Sequence, residues 1–323
     1  MTDCFNLLTW PDYINPVTLA QFEQEYGLSV ELEILPSAVE MISRMRSSSQ
    51  PPDVLVLPDY AVRELDAEGR LASLDPSRLP NLSHLAPHFR LGRSHDPQSR
   101  VSIIKDWGTT GFIYRSDIIQ DSPQSWADFW QLAEKFSGRV TILDSPGEVI
   151  GAALKMRGYS YNASSPDALT AARTDLLRLR PHLLGFETNY RPLLVSGEVC
   201  LSLGWNGDAA ALKAQALPVE YVIPSEGSQI WEDDWAIAAN APNPSTAYSF
   251  LNFVLRPEVA AQEARYTRYA TGNRSALALL ENELRHDPST YPPQELVEKL
   301  EAGMPLDREG QNGRMTLWNE IRT

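Results

Sequence analysis

Phe5-Asn6-Leu7-Leu8-Thr9-Trp10 opens the chain as an apolar run that Pro11 stops, the pattern of a buried strand. Pro16 then starts a helical stretch through Gln24, with Leu19, Phe22 and Tyr26 at helical spacing and Gly27 as its cap. Residues 30–35 read as a second strand and residues 38–46 as a second helix. Pro51 and Pro52 lead into a third strand at 54–57. This strand–helix alternation calls for a parallel sheet with crossover helices, so the fold class is α/β.

Working outward, 62–69 reads as a helix, and 75–100 is a long polar stretch with few elements. Residues 101–104 and 111–114 are expected as two strands, 126–133 as a helix and 140–143 as a buried strand. Helices follow at 148–157 and 166–178, and a strand at 199–203 runs into Trp205-Asn206-Gly207. Strands at 219–223 and 234–238, a helix at 245–255 and a mostly helical, polar tail complete the chain. The alternation before residue 105 and after it implies two α/β lobes. No Pro/Gly/Ser-rich linker divides them, so ordered strands are expected to cross the boundary and act as a hinge.

The 323 residues suffice for two such domains. Hydrophobic residues make up 43% and charged residues 22%, an ordinary globular balance, and no stretch approaches the roughly 20 apolar residues of a membrane-spanning helix. The formal charge of −14 argues against nucleic acid, whose phosphates demand a basic surface, and suits a cationic ligand. Cys4 and Cys200 make no disulfide framework, and nothing has metal-ligand spacing, so neither metal nor cofactor is expected. The start, Met1-Thr2-Asp3-Cys4-Phe5, lacks the basic and apolar regions of a leader; either the protein is cytoplasmic or a leader has been removed.

The eight tryptophans carry the functional signal. They recur beside carboxylates, in Trp10-Pro11-Asp12-Tyr13, Asp106-Trp107, Trp126-Ala127-Asp128, Trp205-Asn206-Gly207-Asp208 and Trp231-Glu232-Asp233-Asp234-Trp235. Most of these motifs fall where an expected strand ends, and strand ends are where open α/β sheets bind ligands. An indole face attracts an ammonium by about 0.5–2 kcal/mol, and a carboxylate adds a charged hydrogen bond of about 1.5–3 kcal/mol. Trp126 and Trp130, four apart, read instead as helix packing, Trp235 as core, and Trp107 as either core or cleft. Asp12 can also be read as the cap of the helix that follows it.

At these residues the sequence resembles the polyamine-binding proteins of ABC importers, the spermidine/putrescine type. The likeness is carried in order by Trp10-Pro11-Asp12-Tyr13, Glu25-Tyr26-Gly27, Pro52-Asp53-Val54-Leu55-Val56 and Trp107-Gly108-Thr109-Thr110-Gly111. It continues through Ser125-Trp126-Ala127-Asp128-Phe129-Trp130, Gly197-Glu198-Val199, Trp205-Asn206-Gly207 and Asn252-Phe253-Val254-Leu255-Arg256-Pro257-Glu258-Val259-Ala260. The resemblance implies a type II periplasmic binding protein fold with the ligand in a cleft between two lobes. The lobes are expected at 1–107 with 235–278 and at 108–234 with 279–323, with hinge crossings near 105–110 and 230–236.

Carried over, Trp10, Tyr13, Tyr60, Trp205, Trp231 and Tyr269 are the aromatic walls, and Asp12, Glu148, Asp208 and Asp233 the acids that take the amines. The implied protein is an extracytoplasmic, monomeric binder of putrescine or spermidine that serves ABC transporter membrane subunits. Three departures stand out. Ser145, with Asp144 before it, occupies a place where some family members carry an acid. Asp208 resembles the putrescine-preferring pattern and Trp231 the spermidine-preferring one. Lys105 is a cation near a cleft meant for cations. The competing readings are a same-fold binder of an opine or a basic amino acid, for which Arg191 or Arg274 would take the ligand carboxylate, and an enzyme acting on amines with Glu148 and Asp233 as acid and base. No nucleophile elbow, phosphate loop, dinucleotide fingerprint or metal motif supports the enzyme reading.

Overall fold

Asn15 starts the first helix: its side chain accepts the Val17 N–H, Pro16 follows at the first helical position, and Gly27 ends the helix in the left-handed conformation. Asp12, the alternative cap, sits instead in an exposed turn with φ 54°. The structure is a computed structural model that describes residues 4–47 and 49–323. The leader question at residues 1–3 lies outside the described residues.

The strands are β1 (Cys4–Thr9), β2 (Ser29–Ile34), β3 (Val54–Pro58), β4 (Ser102–Arg115), β5 (Val140–Ile142), β6 (Leu183–Phe186), β7 (Leu201–Trp205), β8 (Val219–Val222), β9 (Gln229–Ile237), β10 (Ala270–Thr271) and β11 (Glu301–Ala302). The chain forms two compact units, residues 1–107 with 232–286 and residues 108–231 with 287–323. The unit boundary at 231/232 lies within the 230–236 crossing expected, three residues before 234/235, and the later one falls at 286/287 and not at 278/279.

In the first unit β2, β1 and β3 run parallel, and β9 lies antiparallel on β3 with Pro58 opposite Asp233. The Pro16–Tyr26 and Ala38–Ser47 helices are the crossovers between these parallel strands. Its core includes Leu8, Met41, Leu55, Leu57, Val62, Leu65 and Ala236. In the second unit β4 lies between β7 and β8, antiparallel to both, while β5 runs parallel to β7 and β6. Its core gathers Phe112, Trp126, Phe129, Trp130, Ile150 and Leu203. Trp126 and Trp130 are fully buried there and donate their indole N–H groups to the carbonyls of Gly227 and Asp175. Trp235 is core in the first unit, edge-on to Phe250 at 5.4 Å.

One element differs in kind from expectation. The two strands read at 101–104 and 111–114 are a single 14-residue strand, β4. The polar interval that looked like a break is satisfied in place: Lys105 pairs with Asp106, the Thr109 N–H donates to Asn206 Oδ1, and the Thr110 hydroxyl donates to Glu148. Hydrogen-bonded polar side chains cost a buried strand little.

Candidate binding groups

The register explains why the acids gather where they do. β1 and β3 end at Thr9 and Pro58, just before Trp10 and Asp59, and Pro58 opposite Asp233 puts that residue of β9 at the same edge. In the second unit β5 ends at Ile142, three residues before Ser145, and β7 ends at Trp205, with Thr110 opposite Trp205. Each unit thus collects its aromatic and acidic residues at the carboxyl ends of parallel strands, where side chains at the ends of strands and in the loops after them converge.

In the first unit the Tyr13 hydroxyl donates to Asp233 Oδ2 at 2.7 Å, and the Tyr13 ring meets Tyr269 edge-on at 5.8 Å. Both tyrosines are buried and Asp233 is partly so. Burial pushes the Asp233 carboxyl up to about 7; the Tyr13 bond and Lys105 act against this, while Asp106 and Asp59 add to it. The Tyr13 hydroxyl is itself held well above the usual tyrosine range, by burial first and by Asp233 second. A carboxyl kept half protonated by its surroundings is an acid short of a counter-cation.

In the second unit Glu148 is buried in the first turn of the Pro146–Met156 helix, where the helix dipole favours a carboxylate. Its Oε1 accepts Trp205 Nε1–H at 2.6 Å and the Thr110 hydroxyl at 2.7 Å. Burial raises this carboxyl, and the bonds from Thr110, Trp205 and Ser145 oppose the rise. Ser145 therefore supports Glu148 at the place where an acid was weighed. Trp231 lies against Gly108, where any Cβ would overlap its ring and the Asn206 amide. That glycine is needed for close approach.

The remaining expected residues are placed differently from one another. Trp10 is half-buried and packs, as Leu35 and Ala241 also do, against the first unit's core, so part of its indole belongs to the fold. Tyr60, two residues beyond Pro58, is 46% exposed, and its N–H donates to Asp59. Asp12 is exposed in its turn, one residue before the Tyr13 that bonds Asp233. Asp208 accepts the Tyr190 hydroxyl at 2.7 Å and lies 3.8 Å from Arg191, so an arginine already shares its charge.

Tyr190 and Thr110 are the residues that sequence reasoning missed. The Tyr190 hydroxyl also accepts the Trp205 backbone N–H at 2.9 Å, tying the end of β7 to Asp208. The available signal was Gly204, whose missing side chain leaves room for the Tyr190 ring.

The other face of β9 is occupied by a different cluster. Asp234 accepts Arg93, His95 and the Ser102 hydroxyl, and Glu232, pushed up to about 7 by burial and then by Asp234, lies beside them. His95, Glu232 and Asp234 are close enough to share a metal ion, yet Arg93 contacts both His95 (3.2 Å) and Asp234 and supplies the positive charge. The cluster anchors the strand that carries Asp233. Among the described residues no helix is long and apolar enough to cross a membrane.

Comparison with known proteins follows the same lines. The family model for bacterial extracellular solute-binding proteins matches residues 18–291. The spermidine/putrescine-binding periplasmic protein of Escherichia coli (strain K12) is 34% identical over 90% of this chain and 84% of its own. The putrescine-binding periplasmic protein PotF of the same strain is 32% identical over 98% and 91%. Among solved structures, the spermidine/putrescine ABC transporter substrate-binding protein PotD of Streptococcus pneumoniae superposes with a TM-score of 0.88 at 28% identity, covering 100% of both chains.

Proposed function

The chain belongs to the family of bacterial extracellular solute-binding proteins and has their two-unit α/β fold, and from that premise we propose that it captures a polyamine, putrescine or spermidine, without chemical change. In this reading the protein works outside the cytoplasm as a monomer and delivers its ligand to the membrane subunits of an ABC transporter. The observation that carries the reading is the Tyr13–Asp233 pair: a carboxyl pushed up to about 7, opposite the end of β3 and beside buried aromatic rings. A protonated amine supplies the charge that this group lacks.

Asp233 and Tyr13 receive one ammonium group, with Tyr269 supporting the Tyr13 ring. Glu148, oriented by Trp205 and Thr110, receives another. Trp205, Trp231, Trp10 and Tyr60 offer aromatic surface to the methylene stem, and Asp208, its charge shared with Arg191, and the exposed Asp12 contribute field rather than a dedicated bond. Two charged hydrogen bonds of about 1.5–3 kcal/mol each and several aromatic contacts of about 0.5–2 kcal/mol are enough for micromolar binding, about −8 kcal/mol, after the costs of association.

A ligand panel in a thermal-shift assay tests the class. Putrescine or spermidine at 1,000 times its dissociation constant stabilises the folded chain by about 4 kcal/mol, so the melting temperature is expected to rise with these amines. Lysine, arginine and opines are expected to leave it nearly unchanged. Stabilisation by a carboxylate-bearing solute and not by any polyamine would transfer the site to the opine or amino-acid reading.

A further inference from the structure

Lys105 is the feature that the polyamine reading leaves without a purpose: a buried lysine beside groups that are to hold ammonium. Its side chain is only 2% exposed and is paired with an equally buried Asp106. Its Nζ lies 4.0 Å from the centre of the Tyr13 ring and 5.4 Å from that of Trp235. The ring beneath this ammonium is the one whose hydroxyl holds Asp233 at 2.7 Å. Lys105 thus reaches Asp233 through one side chain, by packing and by charge together.

We propose that Lys105 is a positioning residue for Asp233, an internal ammonium that fixes the Tyr13 ring and keeps the Asp233 carboxylate in the charged form a ligand amine requires. The proposal rests on the reading of Asp233 as an amine acceptor.

The charges around these groups define what Lys105 must do. Asp233 is faced by Tyr13 from the segment after β1, by Asp59 at the head of the Asp59–Ala67 helix, and by Lys105 and Asp106 from β4. Lys105 is faced by Asp106, by Tyr13 and by Glu263 of the Pro257–Thr267 helix. Glu263 is pushed up to about 7, chiefly by burial, and Lys105 acts against that push as well. Lys105, Asp106 and Glu263 line a water-sized cavity with Thr271 and Asn273. Around Asp233, then, Lys105 is the cation and Asp106 and Asp59 are the competing anions. Removing Lys105 leaves those acids unopposed, and removing Asp106 has the opposite sign.

The test follows the Asp233 carboxyl by carbon-13 NMR in the full unliganded chain, with the signal assigned by its loss in Asp233→Asn. In Lys105→Met the titration midpoint is expected to move up by about one pH unit, the low end of what an adjacent charge does; in Asp106→Asn it is expected to move down. Putrescine affinity in Lys105→Met should fall about fivefold at pH 7 and recover by pH 9, and Lys105→Arg should restore the wild-type profile.

A role in packing alone would weaken binding equally at every pH and leave the midpoint in place, and that result overturns the proposal. Should Lys105→Met fail to fold, the downward shift in Asp106→Asn decides it, and a midpoint that stays or rises there overturns it. The NMR arm needs no ligand. A wild-type chain that binds no polyamine therefore refutes the functional reading, while the midpoints still decide what Lys105 does to Asp233.

Discussion

Asp233→Asn is expected to lose polyamine affinity by about 100-fold or more while making the unliganded protein more stable at pH 8. The affinity loss follows from removing a charge that bonds an ammonium, where truncating one partner of a buried pair costs about 2–5 kcal/mol. The gain in stability follows from linkage. The folded chain holds this carboxyl up to about 7 against an ordinary value of 3.8, so it binds a proton that the unfolded chain releases. That contribution is fully present below about pH 4 and is lost as pH rises through 7.

Asparagine has no such loss, and its carbonyl still accepts the Tyr13 hydroxyl. With a partly exposed carboxyl the gain is on the order of 2 kcal/mol, which raises the melting temperature by roughly 4–8 °C at pH 8 and hardly at pH 4. Calorimetric titration and thermal melts at the two pH values check both halves. Retained affinity would remove Asp233 from the site, and a lower melting temperature at pH 8 would contradict its electrostatics.

Glu148→Gln is expected to weaken binding about 100-fold, roughly 2.7 kcal/mol, with the fold intact. The substitution is chosen because Oε1 serves two donors. Glutamine keeps that oxygen for Trp205 Nε1–H and the Thr110 hydroxyl, so only the charge is removed. Alanine would orphan both donors at about 1–3 kcal/mol each and confuse a binding loss with a folding one. Burial raises the Glu148 carboxyl in the free protein, so the glutamine variant should melt no lower than wild type at pH 8. Wild-type affinity in Glu148→Gln would remove Glu148 from the site.

Much of this arrangement was legible in the sequence because local signals agreed with the fold. The Pro16 start, the Gly27 stop and the apolar runs at β1 and β3 each mark an element by their own chemistry, and the acids at strand ends follow from the parallel topology. What was not legible depends on partners distant in the chain. β4 reads as interrupted because Lys105-Asp106 and Thr109-Thr110 look like a loop until Asn206 and Glu148 are beside them.

The role of Asn206-Gly207, where the 199–203 strand was expected to run out, is hidden for the same reason. Both are buried at the head of the Asn206–Ala214 helix, with the Asn206 side-chain Oδ1 accepting the Thr109 N–H. Trp10, expected as an aromatic wall, is partly spent on the first unit's core, and spacing along one strand cannot reveal that contact. Lys105 was visible as an anomaly, but its meaning needs the Tyr13 ring 4.0 Å away.

The central claim is that buried acids short of a counter-cation are what this protein offers its ligand, and titration calorimetry of the wild-type chain with putrescine and spermidine tests it most directly. Run at pH 7 in two buffers of different ionisation enthalpy, it should give micromolar or tighter binding with release of about half a proton or more per ligand, as Asp233 leaves its half-protonated state. No heat with any polyamine, or proton uptake on binding, would contradict the account.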